Sequence, residues 1–171
     1  MDYPKRKHAR YRWHDYNGGL YFITICVKDK EHLFGHISEN TISYTEIGGV
    51  AARQIEEIGS HWNDVTVISS VVMPNHVHMI ININGKAIEE KGSSAATPRR
   101  GPTFGGFHSV LAAIISGYKA GVKRYANSHG IDFSWQTGFH DHIIRNSDNY
   151  DKISDYIANN VMRWSEDCYF D

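Results

Sequence analysis

The chain has 171 residues, 41% of them hydrophobic, with a net charge of −1. That length builds one core and is short for two ordinary domains, so a single domain over 1–171 is expected. No apolar run approaches the roughly 20 residues that span a bilayer, and the basic opening MDYPKRKHARYRW has no apolar signal-peptide centre. Cys26 and Cys168 have no metal-type spacing and make no disulfide framework, so the expected compartment is the cytoplasm.

The charge is unevenly spread. Lys5, Arg6, Lys7, Arg10 and Arg12 crowd an N-terminal arm (about 1–13) in which Tyr11 and Trp13 are interleaved. Such an arm can hold phosphates and stack on unpaired bases, or it can be a solvated terminus. Lys123 and Arg124 extend the candidate DNA-binding set, with a solvated helix face as the alternative.

In chain order, GGLYFITICVKD (18–29) reads as a buried strand after a Gly-Gly turn, and HLFGHISEN (32–40) as its hairpin partner or an irregular extension. TEIGGVAARQIEEIGSHW (45–62) has helical spacing with Thr45 as cap. VTVISSVVM (65–73) is a β-branched strand that pairs, across Pro74-Asn75, with the next one. Residues 84–106 lack periodicity and read as a flexible insert. A long amphipathic helix (107–130), a strand-like stretch (133–145) and a last helix (146–164) capped by Asn146 or Ser147 follow. This order predicts an α+β fold, a ferredoxin-like antiparallel sheet with packed helices.

The strand in VVMPNHVHMIININ (71–84) carries the chemistry. Side chains alternate across a strand, so His76 and His78 share a face and Val77, Met79, Ile81 and Ile83 share the other. Two imidazoles side by side read as metal ligands, or as polar groups on a solvated face. On the last helix Tyr150, Ile153, Ile157, Val161 and Trp164 form an apolar stripe, and Tyr156 and Asn160 lie off it, one turn apart. Asn160 reads as a third ligand or as a helix end; Tyr150, on the stripe, is the rival tyrosine. A divalent cation held by two imidazoles and an amide oxygen keeps open positions with which to polarise a phosphodiester. Tyr156 can then attack phosphorus, giving a phosphotyrosine and a free hydroxyl. His140 and His142 repeat the pattern, but Asp141 between them would face the opposite side, so they read as structural or DNA-contacting.

MPNHVHMI resembles the His-hydrophobe-His motif of the single-tyrosine HUH transposases, and YIANN resembles their nucleophile helix. WQTGFHDHIIRN and GGLYFITICV resemble the REP-associated tyrosine transposase branch, so the likeness spans roughly residues 10–164. The resemblance implies that His76, His78 and Asn160 hold Mg²⁺ or Mn²⁺, and that Tyr156 is the nucleophile. It also implies a 5′-phosphotyrosine product with a free 3′-OH. The implied substrate is single-stranded DNA beside a hairpin such as a REP-like palindrome, handled by a monomer or a homodimer. Two rival classes are a catalytically inactive hairpin-DNA-binding regulator that retains the fold, and a zinc hydrolase. The hydrolase lacks a general-base glutamate near the histidines.

Overall fold

β1 (Gly19–Cys26) lies at the heart of the sheet, and its side chains already divide by face. Tyr21, Ile23 and Ile25 are fully buried in the main core, whereas Leu20 and Phe22 pack on the other side. The computed structural model describes residues 18–84 and 109–170; the expectations for the basic arm and for nearly all of the 84–106 insert lie outside the described residues.

β4 (Val65–Val72), β5 (His76–Ile83), β1 and β6 (His140–Ile144) form a sheet in that order, and every neighbouring pair is antiparallel. α1 (Glu46–Glu56) connects β1 to β4 by way of a hairpin and a short helix, and α3 (Val110–Ser128) stands between β5 and β6. The βαββαβ order with β5 and β1 central is the ferredoxin-like arrangement, so the α+β expectation holds. Val77, Met79, Ile81 and Ile83 of β5 meet Val50 and Ile55 of α1 and Leu111, Ile114 and Val122 of α3 in one continuous core.

Caps explain where the helices begin. Thr45 Oγ1 accepts from Gly48 N at 3.2 Å, as the cap expectation requires. Gly48 has no room for a side chain, because a Cβ there would stand 1.9 Å from the Phe34 carbonyl oxygen. The helix expected over 45–62 is interrupted at Glu57 and resumes as α2 (Ile58–His61).

Two strand expectations are corrected. Residues 32–40 do not pair with β1, since β5 and β6 occupy both of its edges. Instead β2 (Gly35–Ser38) pairs with β3 (Thr41–Tyr44) in a separate ribbon, turned at Glu39 and Asn40 with φ of 51° and 59°. The strand expected over 133–145 is regular only at 140–144; Trp135 makes a single antiparallel bridge to Val27, and Phe133 and Trp135 pack against Phe34 at ring separations of 5.5 and 5.4 Å.

α4 (Ser147–Asn159) lies on the opposite face of the sheet from α1 and α3. Arg145 and Asn146 alone join it to β6, and Asn146 Oδ1 caps it by accepting from Asn149 N at 2.9 Å. Ile157 packs there on Ile80 and Ile144, with Tyr150, Ile153, Leu20, Phe22 and Val71 around them. A 3-10 turn at Trp164–Glu166 then leads the chain back over the start of β5. No helix among the described residues is long and apolar enough to cross a membrane.

Candidate active site

His76 and His78 do share a face of β5, the one turned towards α4, with ring centroids 4.4 Å apart. They are 0% and 1% exposed, so the solvated-face alternative is excluded. The roof over them is aromatic: Tyr169 lies 4.5 Å and Trp164 6.0 Å from the His76 ring, and Phe22 stacks on His78 at 5.1 Å.

His76 is held at one nitrogen and His78 at both. His76 Nδ1 lies 2.8 Å from Asn75 Oδ1. Asn75 Nδ2 donates to the carbonyl oxygens of Lys30 (3.2 Å) and Tyr169 (2.6 Å), which fixes the amide orientation. Asn75 Oδ1 can only accept, so His76 Nδ1 carries the proton and Nε2 presents its lone pair. Nε2 is buried and has no hydrogen-bond partner. His78 Nδ1 lies 2.9 Å from Thr24 Oγ1, a hydroxyl that can donate or accept and so supports either tautomer. Burial, reinforced by the charge of His78, holds the His76 pKa far below its ordinary value. Burial lowers His78 to about 4 against the opposing pull of Asp167. Both rings are therefore neutral at pH 7, the form that binds metal.

α4 brings Tyr156 to this pair. Its hydroxyl lies 3.2 Å from His78 Nε2, although the residue is 39% exposed. The same hydroxyl donates to Asp167 Oδ2 at 2.9 Å, and Asn160 Nδ2 donates to that oxygen at 2.9 Å. Asn160 is buried, with Oδ1 lacking any partner. Asp167 Oδ1 accepts from Tyr169 N at 2.8 Å. Burial, the hydrogen bond to Asp167 and its charge together raise the Tyr156 pKa well above that of an ordinary phenol. Burial pushes Asp167 upwards, but the donors from Tyr169, Asn160 and Tyr156 outweigh it and leave the carboxylate below its ordinary value.

The predicted set His76, His78, Tyr156 and Asn160 thus converges within one chain, and a fifth residue joins it. Ligand atoms of His76, His78 and Asp167 all lie within 4.8 Å of one another. Two neutral imidazoles, a carboxylate and a buried amide oxygen with an unused acceptor are a donor set suited to a divalent cation. The bare His76 Nε2 and Asn160 Oδ1 are otherwise hard to account for, since buried polar atoms ordinarily find partners. No periodicity or motif in the sequence singles out Asp167. The available signal was the company it keeps, with Trp164, Tyr169 and Phe170 too aromatic for a solvated terminus.

Other expected residues stand elsewhere. Tyr150 packs in the small apolar cluster beneath α4. Lys123 and Arg124 are on α3, across the sheet from the imidazoles, and the Lys123 ammonium donates to the Phe133 carbonyl. Lys5, Arg6, Lys7, Arg10, Tyr11, Arg12 and Trp13 lie outside the described residues.

Among solved structures the chain resembles a REP-associated tyrosine transposase bound to a REP hairpin, with a TM-score of 0.55 and 20% identity, over 91% of this chain and 74% of that one. The chain has the fold of the tyrosine transposases. In sequence it is 34% identical over 167 residues to an uncharacterized protein of Haemophilus influenzae, covering 94% of this chain and 88% of that protein, and it belongs to that protein's family. No protein-family model matches it.

Proposed function

We propose that the protein is a metal-dependent single-stranded DNA endonuclease and transposase that nicks and rejoins DNA near hairpins through a 5′-phosphotyrosine. The observation that carries this reading is the Tyr156 hydroxyl 3.2 Å from His78 Nε2, beside buried donor atoms with no partner of their own. The hairpin substrate is supported by the solved transposase of the same fold, which holds a REP hairpin. Tyr156 belongs to an α4 packed on its own sheet, which supports action within one chain.

His76 Nε2, His78 Nε2, a carboxylate oxygen of Asp167 and Asn160 Oδ1 are the atoms that would hold the cation. The mixed nitrogen and oxygen set suits Mn²⁺ better than Mg²⁺, which prefers oxygen alone. Bound there, the ion supplies charge that polarises a phosphodiester oxygen and offsets the carboxylate charge that holds the phenol protonated. Asn75 and Thr24 keep the two imidazoles oriented. Tyr156 Oη attacks phosphorus as its proton leaves towards Asp167 Oδ2, the acceptor it already faces. The P–O3′ bond breaks, the 3′ oxygen takes a proton from solvent, and the phosphoryl group stays on the tyrosine. Attack by another 3′-OH reverses the step and rejoins the strand.

Incubating a labelled pool of single-stranded hairpins with the protein and Mn²⁺, followed by a denaturing gel, tests this reading. A protein–DNA adduct that Tyr156→Phe does not form is expected. An adduct that persists in the Phe variant, or unchanged cleavage in excess chelator, would sink it.

A further inference from the structure

The sheet face that carries the imidazoles does not end at β5. On β6, Ile144 packs with Ile80 and Ile157 beneath α4, whereas Ile143 packs against the main core. Strand alternation then puts His140 and His142 on the imidazole face and Asp141 on the other. The register completes two rows across the sheet. Phe22 stands between Ile80 and His142, and Thr24 stands between His78 and His140. Directly opposed side chains on one face lie about 5 Å apart at Cβ. At its inner end this strip touches the reacting groups: Phe22 stacks on His78 at 5.1 Å and meets Tyr156 edge-on at 6.1 Å. At its outer end His140 and His142 are exposed, and Phe22 is only partly covered.

We propose that Phe22, His140 and His142 form a shelf that seats single-stranded nucleotides next to the bond attacked by Tyr156. The assignment rests on the proposed function and adds where the strand runs. The chemistry of the strip favours this occupant. Phe22 offers a flat ring to an unpaired base, and every base has a face to stack. An imidazole carries at least one N–H in either charge state, a donor of the kind that phosphate oxygens accept. The one carboxylate of this strand, Asp141, is turned to the other face, so it does not repel a phosphate on the shelf. Paired bases in a duplex are already stacked and have no free face for Phe22, which selects a single strand. The shelf also continues directly from the nucleophile, so a strand lying on it passes Tyr156 without a turn.

The test uses Tyr156→Phe protein in chelator, so that no cleavage enters the reading. Two fluorescein-labelled DNA hairpins are titrated, one bare and one with a single-stranded oligothymidylate tail. His140→Ala with His142→Ala is expected to weaken binding of the tailed hairpin about tenfold, the scale of one lost stacking or phosphate contact, and to leave the bare hairpin unchanged. Phe22→Leu is expected to weaken the tailed form selectively too, and to abolish quenching of 2-aminopurine placed in the tail. Equal binding of the tailed hairpin by all variants, or equal losses for both hairpins, overturns the shelf and leaves the proposed function standing. If the parent protein binds neither hairpin, the proposed function fails and takes the shelf with it. Self-association that the histidine variants abolish, with tailed-hairpin binding intact, would instead assign the strip to a second copy of the chain and overturn the shelf.

Discussion

The two faces of the sheet answer different demands. On the α1 and α3 side, Val77, Met79 and Ile81 are fully buried in a large, continuous apolar cluster. On the α4 side the buried apolar set is Ile80, Ile144 and Ile157, and next to it lie His76, His78 and Asn160, all buried and polar. Alternate residues of β5 therefore build an apolar core on one side and, on the proposed function, a reactive site on the other. The stable face can support a costly one, because burying polar atoms without partners is unfavourable unless a ligand completes them.

This contrast can be broken most sharply at the proposed nucleophile. Tyr156→Phe is expected to reduce cleavage by a factor on the order of 10⁴ or more, with the melting temperature nearly unchanged. Tyr150→Phe and Tyr169→Phe should keep adduct formation, as seen on a denaturing gel; loss of the adduct in either would reassign the role. Next comes packing. Ile81→Ala is expected to cost about 2–5 kcal/mol in denaturant unfolding. Ile157→Ala should fall at the lower end of that range yet reduce cleavage more, because α4 carries Tyr156. Equal effects of the two on both measurements would erase the distinction between the faces.

Acid should expose the cost of the polar face. In the unfolded chain both histidines take up protons from their ordinary pKa of 6.5 downwards, whereas the folded protein resists, with His78 at about 4 and His76 also depressed. The unfolded state therefore binds more protons in that window. Metal-free protein should hold full stability above pH 6.5 and lose it progressively between 6.5 and 4. Denaturant midpoints across that range check this, and a flat profile would contradict neutral buried rings. Mn²⁺ should reverse part of the loss, adding about 2.7 kcal/mol at a hundredfold excess over its Kd. His76→Ala should remove that increment. Asp167→Asn is expected to slow cleavage by about 10²–10⁴-fold, since it removes the acceptor of the Tyr156 proton, to weaken Mn²⁺ binding, and to move the Tyr156 pKa down towards that of an ordinary phenol. Ultraviolet titration of the phenol would follow the last change.

Regular periodicities made the main features legible. Alternation along HVHMI placed two histidines together, and helical spacing placed Tyr156 and Asn160 one turn apart off an apolar stripe. Asn146 and Thr45 could be read as caps from local chemistry alone. What escaped was non-periodic or long-range. Asp167 and Tyr169 reach the site only because the chain reverses after Trp164, and Asn75 matters through two carbonyl oxygens distant in sequence. The pairing of β2 with β3 depended on which edges of β1 were already taken, a fact of topology that no short segment records.

The joint of Arg145 and Asn146 between β6 and α4 limits travel. So short a tether keeps the first turn of α4 beside the end of β6, and any larger displacement of the helix that carries Tyr156 must hinge at these two residues. On the proposed chemistry, DNA captured on Tyr156 stays where it was cut for as long as α4 keeps this packing, and the incoming 3′ end must be delivered to it.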